Sequence, residues 1–161
     1  MAVEIERKFL PRDESWRDAV RRSVAMVQGY LGGHRCSVRV RIEGERAFLN
    51  VKSRGRGMRR SEYEFGVPLD EARAMLDEFC PERVEKLRHE VSHGGHVFEV
   101  DEFLGANAGL VVAELELDHE DEAFERPAWL GREVTDEARY YNIALAREPY
   151  SHWAEGAGKA C

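Results

Sequence analysis

The feature that most constrains this chain is an alternation of apolar and charged residues with a period of two. In "VEIERKFL", Glu4, Glu6 and Lys8 fall on one face of a strand and apolar residues fall on the other. Eight segments read as strands: "VEIERKFL", "VAMVQGYL", "CSVRVRIEG", "RAFLNVKS", "RSEYEFGV", "RVEKLRHEV", "VFEVDEF" and "LVVAELELD". Mostly short turns join them, and barrel closure removes exposed edges. We therefore predict an α+β, mainly antiparallel β fold: an eight-stranded closed β-barrel with helices packed outside.

Four further segments carry helical signals. They are "DESWRDAVRR" with Asp13 as N-cap, "LDEARAMLDEFC", "EDEAFE" and "TDEARYYNIALAR" with Thr135 as N-cap. The helices at 70–80 and 135–147 each need an apolar partner outside the barrel. A barrel with its charged faces outward and an apolar interior would not supply one. We therefore expect the apolar strand faces to point outward and the charged faces to line a polar tunnel.

Charged residues of one sign occur in pairs at i and i+2 on the faces that we predict to point inward. The pattern comprises Glu4/Glu6, Arg39/Arg41, Glu62/Glu64, Lys86/Arg88, Glu99/Asp101 and Glu114/Glu116, with Lys52 as a single base. An unpaired buried ion costs several kcal/mol, so such a tunnel must be wet, internally paired and occupied by something ionic. The acids are hard oxygen ligands suited to Mg²⁺ or Mn²⁺, and the bases suit phosphate oxygens. The pattern predicts a metal-chelated chain of phosphates as the guest.

Length and composition limit the class of protein further. The 161 residues fit one domain, which we place at 1–150, with 151–161 as a flexible C-terminal tail. The formal net charge of −7 disfavours a general nucleic-acid binder. The three cysteines have no disulfide or zinc spacing, and no apolar stretch reaches membrane-spanning length. We expect a cytoplasmic protein without membrane attachment; a homodimer is compatible with the sequence, although no residue argues for it.

Two remaining segments carry residues that other functions could use. "RGRGMRR" lacks the spacing of a Walker motif and is predicted to be a mobile loop at a tunnel mouth. His89, His93 and His96 flank a Gly-Gly turn and are interpreted as turn residues rather than zinc ligands.

The pentapeptide "EIERK" at 4–8 resembles the E-x-E-x-K signature of the CYTH superfamily, also called triphosphate tunnel metalloenzymes. Further blocks that resemble the family follow in order: "QGYL", "SVRVRI", "VKS", "EYEF", "VEKLR", "FEVDEF", "ELEL" and "TDEARYYN". Together they span most of the chain, and the short bacterial members are the most similar. The resemblance implies an eight-stranded antiparallel tunnel that binds a triphosphate with a divalent metal, and hydrolysis as its activity.

The resemblance also implies roles for individual residues. The positions matching the metal-binding acids of the signature site are Glu4, Glu6, Glu114 and Glu116. The remaining tunnel acids, which would bind or orient a second metal or its waters, are Glu62, Glu64, Glu99 and Asp101. The phosphate-binding bases are Lys8, Arg39, Arg41, Lys52, Lys86, Arg88 and Arg139, with Arg60 as an extra contact. The lysine–tyrosine pair proposed to act at the cleaved end corresponds to Lys8 and Tyr30.

For some of these residues, the sequence also allows a different interpretation. Structural ion pairing with the tunnel acids is the alternative for the Arg39/Arg41 and Lys86/Arg88 pairs, and a surface ion pair is the alternative for Arg139. Tyr30 could either share a proton with Lys8 or only bind phosphate. We expect Lys8, as a lysine among cations, to have a lowered pKa, with which it could draw a proton from water.

The resulting expectation is a triphosphatase that converts inorganic tripolyphosphate to pyrophosphate and phosphate. Three alternatives stay open: a class IV-type adenylyl cyclase that converts ATP to cyclic AMP and pyrophosphate, a thiamine or nucleoside triphosphatase, and a polyphosphate-binding module without catalysis. A cyclase needs a nucleoside pocket beside the tunnel, and we find no base-binding feature in the sequence.

Overall fold

Eight strands close into an antiparallel barrel in the computed structural model of this chain, which describes residues 3–153. The strands are β1 (Val3–Pro11), β2 (Val20–Gly32), β3 (Cys36–Glu43), β4 (Arg46–Ser53), β5 (Arg59–Val67), β6 (Arg83–His93), β7 (His96–Phe103) and β8 (Val111–Leu117). The neighbours follow the order β5-β4-β3-β2-β6-β7-β8-β1, and β1 pairs with β5 from Val3↔Ser61 to Ile5↔Arg59 to close the ring. The predicted eight-stranded closed barrel is confirmed.

A ninth strand, which we did not predict, extends the sheet beside the end of β1. This strand, β9 (Leu130–Glu133), pairs with β1 through Phe9↔Glu133 and Pro11↔Leu130. β9 lies on the edge of β1 opposite β8, beyond Ile5, where the pairing with β5 ends, so "PAWLGREV" covers an edge that the eight-stranded barrel leaves open.

The apolar faces of the strands point outward, as the amphipathic helices required. Helix α1 (Leu69–Phe79) buries Ala72 and Leu76 against Val40 and Ile42 of β3. Helix α2 (Asn142–Arg147) is short, and its Leu145 packs into a second cluster with residues of β6, β7 and β8. A third cluster, built around Trp16, Phe9, Phe98 and Trp129, covers the outer face of β1, β7 and β8, whereas the outward side chains of β5 stay exposed. Since three apolar layers lie outside, the barrel interior is left for the charged faces.

Two further helix predictions fail in different ways: the helix near the start of the chain is shortened to one turn, and the helix near residue 120 does not form. "DESWRDAVRR" forms only a 3₁₀ turn, Ser15–Ala19, because β2 already begins at Val20; the Asp13 side chain accepts hydrogen bonds from Ser15. "EDEAFE" forms no helix. Phe124 instead packs on the rings of Phe9 and Phe98, which holds this segment against the barrel as a loop.

The predicted C-terminal helix over 135–147 is broken in two. A 3₁₀ turn, Ala138–Tyr140, is followed by α2, and Thr135 caps neither. The Thr135 hydroxyl accepts a hydrogen bond from the Lys8 amide at 3.1 Å and donates one to Glu133, so it is committed to β1 and β9. A last 3₁₀ turn, Tyr150–His152, precedes Trp153, whose ring packs on Tyr140.

The proposed tail at 151–161 lies mainly outside the described residues, since the structure describes nothing beyond Trp153. The division of the chain at residue 150 therefore stays a prediction. No helix within residues 3–153 has both the length and the hydropathy that crossing a membrane requires.

Candidate active site in a charged tunnel

The barrel encloses a cavity of about 500 Å³ whose walls are almost entirely ionic. Its lining comprises Val3, Glu4, Glu6, Lys8, Arg39, Arg41, Lys52, Glu62, Glu64, Lys86, Arg88, Glu99, Glu114, Glu116 and Asn142. The structure thus brings together seven of the eight acids and six of the seven bases that the sequence assigned to the tunnel. The eighth acid, Asp101, is fully buried behind the wall.

The order of the strands sorts these charges into two halves of the barrel. Strands β4, β3, β2 and β6 are consecutive neighbours, and so are β7, β8, β1 and β5. The first group contributes the basic half: Lys52, Arg39, Arg41, Lys86 and Arg88. The second contributes the acidic half: Glu99, Asp101, Glu114, Glu116, Glu4, Glu6, Glu62 and Glu64. A ligand in the cavity therefore meets cations on one side and carboxylates on the other.

Lys8 is the base of the main cavity that lies within the acidic half. Its Nζ is 2.6 Å from Glu114 Oε1 and 3.1 Å from Glu6 Oε1. Burial by itself would lower the pKa of Lys8, but the carboxylates of Glu114 and Glu6 outweigh it and hold this pKa above its ordinary value. The expectation of a lowered pKa is wrong, because the nearest neighbours of Lys8 are acids rather than other bases.

Asp101 holds two bases of the basic half in place. Its Oδ1 accepts from Arg88 Nε and its Oδ2 accepts from Arg88 Nη2 and Lys86 Nζ, each at 2.8 Å. Arg88 also reaches Glu99 and Glu114 at 3.0 Å. Since Asp101 is fully buried and both of its oxygens are engaged by cations, it is placed to orient these bases rather than to bind a metal.

Asn50, on β4, organises a second part of the tunnel wall, and we did not predict a role for it. Its Nδ2 donates to Glu62 at 3.2 Å and to Glu64 at 2.8 Å, while its Oδ1 accepts from Arg39 Nε at 3.3 Å. Arg41 completes this network through Glu64 at 3.2 Å. The alternation in "RAFLNVKS" places Asn50 on the face of Lys52, so the signal was present in the sequence.

The acidic half suits a divalent cation. Lys8 and Lys52 compensate Glu6, Glu114 and Glu4, but Glu116 has no ion pair within residues 3–153. Burial and the neighbouring carboxylates of Glu4, Glu99 and Glu6 raise the pKa of Glu116 to about 7. In the described part of the chain, no three of the acids converge closely enough to form a ready metal site. The excess of carboxylate oxygens on this side fits the donor preference of Mg²⁺ and Mn²⁺.

Tyr30 lines a smaller adjoining recess of about 50 Å³ together with Lys8, Arg39 and Arg60. Its hydroxyl accepts a hydrogen bond from Gln28 Nε2 at 3.2 Å, which leaves its own proton free to donate into the recess. The Arg60 guanidinium lies over the ring of Tyr141, 4.5 Å from the ring centre. The structure therefore brings Tyr30, Lys8 and the extra base Arg60 to one end of the tunnel.

The glycine-rich loop at 54–60 also lies at this end. The Met58 carbonyl accepts from the Glu6 amide at 2.8 Å, and Gly57 and Met58 line a small recess with Glu4 and Arg60. Arg59 and Arg60 already belong to β5, so the loop itself is shorter than the motif.

Arg139 does not reach the tunnel. Its guanidinium packs over the rings of Trp153 and Tyr140, at 4.5 and 5.1 Å from their centres, on the outside of the C-terminal segment. Asn142, three residues further on, lines the cavity instead. Neither its residue type nor a strand periodicity marked Asn142 in the sequence. His89 also faces outward, where it contacts Ser23 and Glu102.

A charged tunnel within an eight-stranded barrel defines the class of this protein, and comparison with known proteins agrees. Residues 2–146 match the model of the CYTH domain, and the chain belongs to this family. It is 41% identical over 157 residues to an inorganic triphosphatase of Acetivibrio thermocellus, covering 96% of this chain and 100% of that one. It is 37% identical over 149 residues to an inorganic triphosphatase of Nitrosomonas europaea, covering 89% and 97%.

The solved structures agree with the sequence comparison. A crystal structure of an inorganic triphosphatase superposes with a TM-score of 0.67 at 35% identity and covers 91% of this chain and 95% of that one. Membership of the family implies an enzyme that depends on a divalent metal and acts on a small-molecule triphosphate.

Proposed function

We propose that this protein hydrolyses inorganic tripolyphosphate to pyrophosphate and orthophosphate inside the tunnel, with Mg²⁺ or Mn²⁺ as cofactor. The observation that carries the proposal is the separation of the tunnel charges into a basic and an acidic half. A phosphate chain needs cations along its length, and its metal needs carboxylates. The two halves offer both across one cavity.

The charge balance of the cavity supports a requirement for metal. Its lining carries seven acids against six bases, so these side chains nearly balance one another in charge. A triphosphate adds several negative charges, which would leave the interior strongly anionic unless a cation enters with it. The acids proposed to hold that cation are Glu4, Glu6, Glu114 and Glu116, with Glu62, Glu64 and Glu99 as further candidates.

The bases would align the phosphate chain. Arg39 and Arg41 from β3 and Lys86 and Arg88 from β6 flank β2, and Lys52 follows on β4. Arginines bind phosphate oxygens bidentately, and phosphoryl transfer depends mainly on alignment and charge stabilisation. A bound divalent metal would supply charge neutralisation and a more acidic water.

Lys8 and Tyr30 are proposed to act at the cleaved end. Because carboxylates keep Lys8 protonated, it would serve as a cation next to the leaving or transferred phosphate and not as a base. Gln28 leaves the Tyr30 hydroxyl proton free, so Tyr30 would donate to a phosphate oxygen. This assignment favours binding and charge stabilisation over proton abstraction for both residues.

The tunnel itself gives no support to a nucleotide cyclase. None of the residues that line the main cavity in the described part of the chain has an aromatic ring on which a base could stack. The free cysteines Cys36 and Cys80 are consistent with a cytoplasmic location, which we include in the proposal.

The proposal is tested by incubating the protein with tripolyphosphate, ATP and thiamine triphosphate, each with Mg²⁺ or Mn²⁺, and measuring orthophosphate, pyrophosphate and cyclic AMP. We expect orthophosphate and pyrophosphate from tripolyphosphate, and loss of this activity in Glu6→Gln. Glu45→Gln, in an exposed turn outside the tunnel, is the control and should behave like the wild type. Cyclic AMP from ATP, or tight binding of tripolyphosphate without turnover, would contradict the proposal.

A further inference from the structure

Asn142 is a tunnel residue that comes from outside the barrel strands. It is the first residue of α2, is half-buried, and lines both the main cavity and the recess that contains Lys8 and Tyr30. The hydroxyl of the preceding residue, Tyr141, is engaged elsewhere and donates to the Thr135 carbonyl at 2.6 Å. Asn142 thus reaches the junction of the two cavities.

The amide oxygen of Asn142 holds Lys86. Asn142 Oδ1 accepts from Lys86 Nζ at 3.0 Å, and Asp101 Oδ2 accepts from the same Nζ at 2.8 Å. Lys86 is 2% exposed, so its ammonium has few other directions in which to turn. Of its three N–H groups, two are engaged by these oxygens, and one is left to face the cavity that Lys86 lines.

The amide character of Asn142 matters because it is neutral. A second carboxylate beside Lys86 would compete with a phosphate for the ammonium, whereas an amide oxygen orients it without adding negative charge. The other end of the side chain, Nδ2, has no hydrogen-bond partner within residues 3–153. It is a donor in a cavity wall, where an anionic oxygen is the partner that matches it.

We propose that Asn142 is a substrate-positioning residue, which donates from Nδ2 to a phosphate oxygen and fixes Lys86 through Oδ1. This inference rests on the proposed function and assigns the phosphate contact to Asn142 in place of Arg139.

The test uses Asn142→Asp, Asn142→Leu, Lys86→Met and the double variant Asn142→Leu/Lys86→Met, assayed for kcat and KM with tripolyphosphate at saturating metal. Asn142→Asp keeps an acceptor for Lys86 but replaces the donor by a charge, and we expect KM to rise about ten-fold or more. Asn142→Leu should show a similar rise. Because Asn142 acts partly through Lys86, Lys86→Met should have a smaller effect in the Asn142→Leu background than in the wild type.

The control is Arg147→Gln, on the exposed side of α2, which should leave kcat and KM unchanged. Thermal unfolding of each variant identifies any that fail to fold. Wild-type KM in both Asn142 variants, or fully additive effects in the double variant, would overturn the inference while leaving the triphosphatase proposal intact. A wild-type protein that neither binds nor hydrolyses tripolyphosphate would overturn both.

Discussion

Lys8 and Glu114 are directly opposed on β1 and β8, and their side chains meet at 2.6 Å inside the tunnel. The contact pairs a base with an acid at the point where the acidic half would hold a metal. Burial by itself would raise the pKa of Glu114. The cations of Lys8 and Arg88 outweigh this effect and hold the pKa well below its usual range. Both partners are therefore charged, and the proposed metal–phosphate ligand would have to replace the ion pairs of the tunnel with its own contacts.

The charge on Lys8 leads to a prediction about pH. Since the folded protein keeps Lys8 protonated, the pH dependence of kcat between about 6 and 9 should contain no step due to this residue. Lys8→Arg should retain a measurable part of kcat with a pH profile parallel to the wild type, whereas Lys8→Met should lose most activity. A wild-type step that disappears in Lys8→Arg would show that Lys8 acts as a base.

Removing the carboxylate of Asp101 should destabilise the protein strongly. Asp101→Asn would leave the buried cations of Lys86 and Arg88 without their shared counter-charge, which costs about 3–5 kcal/mol. Urea unfolding at pH 7 measures this difference. Asp121→Asn, in an exposed turn, is the control and should stay within about 0.5 kcal/mol of the wild type. An equally small effect of Asp101→Asn would contradict the role of Asp101 as the structural acid.

Glu116 should make the metal-free protein less stable as the pH rises. Its pKa is raised to about 7 from an ordinary 4.5, so the folded state holds the proton more tightly than the unfolded state. The stabilising contribution is present at pH 4.5 and below, and it is lost as the pH rises through 7. Glu116→Gln should therefore be more stable than the wild type at pH 8 in EDTA and similar to it at pH 4.5, as measured by thermal unfolding. A constant difference across this range would contradict the argument.

The two arginines Arg39 and Arg139 should respond differently to removal. Arg39 lines the tunnel, and Arg39→Ala should raise KM for tripolyphosphate about ten-fold or more. Arg139 stacks on Trp153 and Tyr140, and Arg139→Ala should change KM less than two-fold while lowering stability by about 0.5–1 kcal/mol. Steady-state kinetics and thermal unfolding of both variants check this. A rise in KM for Arg139→Ala as large as that for Arg39→Ala would show that Arg139 does contact the substrate.

The inward direction of the charges could be predicted from the sequence, because a strand has a fixed period of two and the outer helices needed apolar partners. The division of the tunnel charges into a basic and an acidic half could not be predicted from the sequence. It arises because β2 lies between β3 and β6, and because β1 closes against β5, and no local pattern reveals this order of strands. The acids and bases are scattered along the chain, and only the topology gathers each kind on its own side.

The wrong helices have a common physical cause, which is tertiary contact overriding a local signal. Thr135 resembles an N-cap, but its hydroxyl is engaged by the Lys8 amide and by Glu133. The acidic segment near residue 120 favours a helix locally, but Phe124 is drawn into the aromatic cluster with Phe9 and Phe98. Asn142 was missed because it lies on a helix, where the period of two that marked the strand residues does not apply.

The most direct measurement is a crystal structure of the protein with Mn²⁺ and a tripolyphosphate analogue whose bridging oxygens are replaced by NH groups. We predict an anomalous Mn²⁺ signal among the carboxylates of the acidic half and the phosphate chain against Arg39, Arg41 and Arg88 of the basic half. Phosphates and metal bound only on the outer surface, with the tunnel ion pairs unchanged, would contradict the assignment of the tunnel as the active site.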